Sequence, residues 1–91
     1  MAKKAKIDVS RINVLIKKEK KLLARAKKEK DDREFISMMR ADIKDYQKGK
    51  KLAKKDDMPR LGKLLRKMDT YPREKFVSAL PKYMQQDLGY E

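Results

Sequence analysis

Neither glycine nor proline occurs in the first 48 residues of this 91-residue chain. Lys, Leu, Ala, Arg, Glu and Met dominate that stretch, all residues that lose little on entering a helix. Nowhere does the sequence show the alternation of apolar and polar residues that marks a strand. The fold class is therefore expected to be all-α.

Helical phase then divides the stretch. Ser10 is the expected N-cap of a first helix running to about Lys30, with Asp8 as the other candidate. Ile12, Leu15, Ile16, Leu22, Leu23 and Ala26 fall within about 120° of one another at 100° per residue, an amphipathic stripe. A second stripe follows, made of Phe35, Met38, Met39, Ile43 and Tyr46, with Ile36 at its margin. Carried on one unbroken helix, this second stripe points nearly opposite to the first, so the two cannot share a neighbour. A break near Asp31-Asp32 resolves the conflict. Asp31 and Glu34 have the spacing of a capping box that starts a second helix at about Arg33, and Gly49 is the expected residue just past its end. A single long strut with two contact faces is the alternative to this hairpin.

Residues 49–57 read as a basic linker. Asp56-Asp57 and Pro59 then signal a third helix, whose Met58, Leu61, Leu64, Leu65 and Met68 repeat at i, i+3, i+4 and i+7. Tyr71 precedes Pro72 and is expected outside a helix. Pro72 opens a fourth with Phe76, Val77 and Leu80 inward. Leu80-Pro81 repeats the signal for a last turn or two through Tyr83, Met84 and Leu88, and Gly89 ends it. The expected organisation is one small basic domain over residues 1–91: a flexible end at 1–9, a hairpin at 10–48, the linker, and two or three short helices over 58–91.

Composition limits the chemistry. The chain has no His, Cys or Trp, which removes disulfides, zinc-finger ligands, a Cys nucleophile and the most frequent acid–base residue. Ser10, Ser37, Ser78 and Thr70 lack a His to activate them, and the three glycines form no phosphate-binding loop. Asp31-Asp32 and Asp56-Asp57 stand where helix starts need acceptors, which explains them better than a metal does. No apolar run approaches the roughly 18 residues of a membrane span. The basic first helix lacks the Trp or Phe anchor of a membrane-surface helix, and its Lys excess is unlike a mitochondrial presequence. The expectation is a non-catalytic cytoplasmic protein with no cofactor, no metal, no small-molecule substrate and no membrane contact.

Charge carries the positive signal. Lys and Arg number 27 against 14 Asp and Glu, a net +13, above the magnitude of about 2–8 that solubility requires of a small domain. Residues 1–30 carry net +9 and residues 48–67 net +7, while 31–47 and 68–91 carry −2 and −1. Lys17, Lys20, Lys21, Arg25, Lys27 and Lys28 oppose the first apolar stripe. Lys50, Lys51, Lys54, Lys55, Arg60, Lys63, Arg66 and Lys67 form the second basic block. Twenty Lys against seven Arg favour phosphate contact over reading of base edges, since Arg is the bidentate reader. The partner expected is nucleic acid, DNA or RNA, or a nucleic-acid-containing assembly. The alternative is an acidic protein surface, including that of a nucleic-acid-processing enzyme that the chain would modulate. A helix-turn-helix presenting Arg73 and Lys75 is a weaker reading, because its second helix is short. Tyr90, outside every stripe, is the expected exposed aromatic for a protein contact.

Overall fold

A lysine and an aspartate, rather than a glycine, stop the first two helices. The computed structural model describes residues 7–30 and 32–90. Its helices are α1 (Ser10–Lys28), α2 (Arg33–Lys54), α3 (Met58–Lys67), α4 (Thr70–Ala79) and α5 (Lys82–Asp87). Past α1, Lys30 turns left-handed at φ 55°, and past α2 Asp56 does the same at φ 56°. The Asp56 amide donates to the Ala53 carbonyl at 3.0 Å and the Asp57 amide to the Leu52 carbonyl at 2.9 Å. These two bonds satisfy carbonyls that the helix end leaves open, and Asp tolerates the left-handed region better than most residues. Gly89, at φ 80°, closes α5 in the same manner, as expected.

Gly49 therefore does not end α2. The helix continues to Lys54, so residues 49–54 of the expected linker are helical and the connection shrinks to 55–57. The reason lies in packing. A Cβ on Gly49 would come within 2.9 Å of both ring Cε atoms of Phe76, and closer still to Cζ. Glycine here supplies close approach, not a turn. Phe76 is fully buried and stacks on Tyr46, with centroids 6.0 Å apart and rings 7° from parallel.

The helix starts follow the expected chemistry with shifted residues. Ser10 is the first residue of α1, and the Asp8 carboxylate accepts from its amide at 2.9 Å and its hydroxyl at 2.6 Å. Those bonds hold the Asp8 carboxyl below its usual range. At α2 the Asp32 carboxylate accepts from the Glu34 amide at 3.1 Å; the cap expected from Asp31 lies outside the described residues. Asp57 caps α3 through the Arg60 amide at 3.3 Å. Tyr71 is helical, contrary to the proline rule, because α4 begins at Thr70 and places Pro72 in the first turn. There a missing N–H costs no helical bond. Of the flexible end expected over 1–9, residues 1–6 lie outside the described residues, whereas Val9 is buried and Ile7 packs on the core.

The first two helices form the expected hairpin; α3 packs on α2 and α4 on α1. The result is elongated, with extents of 53 × 23 × 18 Å. Ile12, Tyr46, Ala53, Leu61, Leu65, Phe76, Leu80 and Met84 form a core at the end of the hairpin that α3, α4 and α5 cover. Toward the turn the cover stops. Ala26, Met39 and Ile43 are buried there, but Leu22, Phe35 and Met38 are about half exposed. Leu22 was expected inside the stripe. The inward position beside it belongs to Glu19, buried and bonded to Lys75 of α4 at 3.0 Å.

Candidate functional site

The expected cations lie on three helices. On α1, Lys17, Lys20, Lys21, Arg25, Lys27 and Lys28 are exposed; on α2 and its end, Lys51, Lys54 and Lys55 are exposed and Lys50 is half-buried; on α3, Arg60, Lys63, Arg66 and Lys67 are exposed. Two of these have an acidic partner: Arg25 with Glu29 at 4.0 Å and Arg60 with Asp57 at 3.6 Å. Arg66 donates to the Gly62 carbonyl at 3.3 Å. Among the described residues the other cations of the set form no ion pair, so their charge is directed at solvent.

The helical register of α2 adds residues that block arithmetic hid. Arg33, Arg40, Lys44, Lys48, Lys51 and Lys55 recur at steps of seven, four, four, three and four residues, with Ser37 in the remaining position. At 100° per residue they fall within a sector of about 80°, opposite Met39, Ile43 and Tyr46. The row is about 33 Å long at 1.5 Å per residue. All six are exposed and none has an ion pair among the described residues. Residues 31–47 carry net −2, which concealed the row. Two of their acids, Asp42 and Asp45, are half-buried on other faces, and Asp32 caps the helix. Two carboxylates border the row: exposed Glu34, next to Arg33, and Asp45, beside Lys44, Lys48 and Lys51. Helical phase, which a net charge summed over a block ignores, is readable in the sequence and finds the row.

Near the turn the row joins α1. Lys27 of α1 and Arg33, Ser37 and Arg40 of α2 line one shallow concavity together with Ile36. Three cations and a hydroxyl converge there, with no carboxylate among the lining side chains. Such a grouping attracts an oxyanion by point charge and hydrogen bonding.

Other expected positions do not join this surface. Arg73 donates to the Leu65 carbonyl and to the Thr70 hydroxyl, each at 3.5 Å, and Lys75 is bonded to Glu19. The two side chains that a helix-turn-helix would aim at a groove are thus turned to intramolecular partners. Lys75 also lies 4.4 Å over the Tyr71 ring. Although partial burial opposes its charge, the hydrogen bond and charge of Glu19 hold its pKa above the usual value. Tyr90 is 41% exposed, less than Tyr71 at 70% or Tyr83 at 52%, so it is not the outstanding free aromatic. Burial, with Glu19 and Asp42 nearby, pushes the Tyr46 hydroxyl well above its ordinary pKa.

No protein family, curated protein or solved structure matches this chain. Among the described residues no helix is long and apolar enough to cross a membrane.

Proposed function

We propose that this chain is a non-catalytic cytoplasmic protein that binds the phosphate backbone of nucleic acid through its cationic helix faces. One observation carries the reading: six exposed cations, without ion pairs among the described residues, in a single row along α2 and its C-cap, joined at the turn by Lys27. A solvated surface helix ordinarily intersperses charges of both signs along its faces. This row does not. Nucleic acid presents a dense line of negative charge, about one per 1.7 Å of duplex axis, and cations that neutralise it release condensed counterions. Lys outnumbers Arg in the row by four to two, which suits sequence-tolerant contact rather than base readout.

The test is a salt titration of the purified chain with labelled duplex and single-stranded oligonucleotides. Engagement of all six cations predicts a log–log slope near −5 on duplex, from about −0.9 per neutralised phosphate. Arg40→Ala with Lys44→Ala and Lys48→Ala is expected to flatten that slope by about 3, while changing stability by less than about 0.5 kcal/mol because all three positions are exposed. Absence of binding at low salt, or a slope near zero, overturns the phosphate reading. Salt-sensitive binding to an acidic protein but to neither oligonucleotide would assign the row to a carboxylate surface instead.

A further inference from the structure

The hairpin has a second open side, chemically unlike the cationic row. Between α1, α2 and the start of α4 lies a groove of about 370 Å³. Ala26, Met39 and Tyr46 form its buried floor, and Leu22, Phe35, Met38 and Tyr71 stand along it 46–70% exposed. Single exposed apolar residues are ordinary on a protein surface, but four large ones gathered in one concavity mark a contact site.

Its charges define what fits. Arg25 is paired with Glu29, and Lys75 with Glu19. That leaves Asp42, half-buried in the groove lining, with no ion pair among the described residues. Burial raises the Asp42 carboxyl above its usual pKa; Glu19, Asp45 and Asp69 raise it further, and Lys75 partly offsets them. On a chain of net +13, this groove joins apolar walls to a carboxylate without an ion pair among the described residues. A phosphate ligand is repelled by it. A second copy brings another +13, and the repulsion between two such chains opposes its approach.

We propose that the groove docks an amphipathic helix of a partner protein, one that carries a Lys or Arg among its apolar contact residues to meet Asp42. An antiparallel helix pair with an apolar furrow is the receptor geometry of helix-in-groove recognition, in which anchors at i, i+3 or i+4 and i+7 enter the furrow. Such a helix covers the four open side chains and gives Asp42 the partner it lacks. The proposal is independent of the phosphate reading, since none of its residues lies in the α2 row.

The probe is a displayed library of helical peptides randomised at i, i+3, i+4 and i+7, selected against the intact chain. Enriched peptides should carry apolar residues at most of these positions and one Lys or Arg. Phe35→Asp should weaken them more than about tenfold, since it places a charge in the contact centre. Asp42→Asn should weaken the basic peptides about fivefold, yet leave unchanged the same peptides with the cation replaced by Gln. Circular dichroism of both variants checks that the helices are retained, and Met38→Asp repeats the test if Phe35→Asp unfolds. The proposal fails if no peptide is enriched. It also fails if the winners are acidic and indifferent to Phe35→Asp and Met38→Asp. Sedimentation showing a dimer that Phe35→Asp dissolves would give the groove to a second copy and overturn the proposal as well.

Discussion

The same two helices are enclosed at one end and bare at the other. At the covered end Ile12, Tyr46 and Ala53 are 0–1% exposed, and so are Leu61, Leu65, Phe76 and Met84 of α3 to α5 and Leu80, which caps α4. Toward the turn, Leu22, Phe35 and Met38 have the same helical spacing and apolar character but stand about half open. The stripes continue; the third layer does not. Apolar periodicity determines the direction in which a side chain points, and only the rest of the chain determines whether anything lies there to cover it. In a chain with 45% charged residues, too few apolar side chains remain in α3, α4 and α5 to cover the full length of two helices of 19 and 22 residues.

The covered end should therefore hold nearly all the stability. Phe76→Ala is expected to cost about 3–5 kcal/mol, the largest effect of any single change here, because it leaves a cavity against Tyr46 and the Gly49 backbone. Gly49→Ala tests the same contact from the other side. With Phe76 in place the added methyl overpacks the ring, a cost of about 1–3 kcal/mol that outweighs a helix-propensity gain of about 1 kcal/mol. In the Phe76→Ala background the methyl enters vacated space, and the substitution should become stabilising. Urea denaturation of the four proteins gives the coupling directly. Additive effects would mean that the ring and the helix backbone do not meet.

One turn and a half along α1 the comparison repeats at smaller scale. Ile16 is 8% exposed and Leu22 is 46%, though both belong to one stripe. Ile16→Ala should cost about 2–4 kcal/mol and Leu22→Ala less than about 1 kcal/mol. Leu22→Asp, which the stripe alone predicts to unfold the hairpin, should leave the far-ultraviolet circular dichroism intact. Cooperative loss of helix in Leu22→Asp would place that side chain back in the core.

These residues also show what was legible beforehand. The all-α class, the hairpin break before Arg33 and the inward faces of α3 and α4 follow from phase and from aspartates at helix starts, signals that act within a turn or two of helix. What escaped was set by distant partners. Gly49 resembles a helix stop until Phe76, 27 residues later, is laid against it. Glu19 resembles a surface residue until Lys75 arrives from α4. Leu22 resembles core because its spacing carries no information about the missing cover. The cationic row on α2 is a different kind of miss: its phase was local and readable, but net charge summed over residues 31–47 averaged it with acids that lie beside the row or face elsewhere.

Asp42 stands near the junction of the two ends, and it supplies the smallest and most specific test of the comparison. Folding raises its pKa above the ordinary 3.8, chiefly by burial. The folded chain therefore binds this proton more tightly than the unfolded chain does. Whatever stability the group contributes is fully present below the unfolded value and is lost as pH rises through the folded one. At pH 7 the ionised carboxylate opposes folding, so Asp42→Asn should raise the midpoint of thermal unfolding there, by the equivalent of less than about 1 kcal/mol because the side chain remains partly solvated. At pH 3 both states carry a neutral carboxyl, and the advantage of Asn should close. A stabilisation that persists at pH 3 would reflect packing rather than charge. A variant less stable than the parent at pH 7 would mean that a cation already holds Asp42, and the groove would then have no unmatched charge to offer a partner.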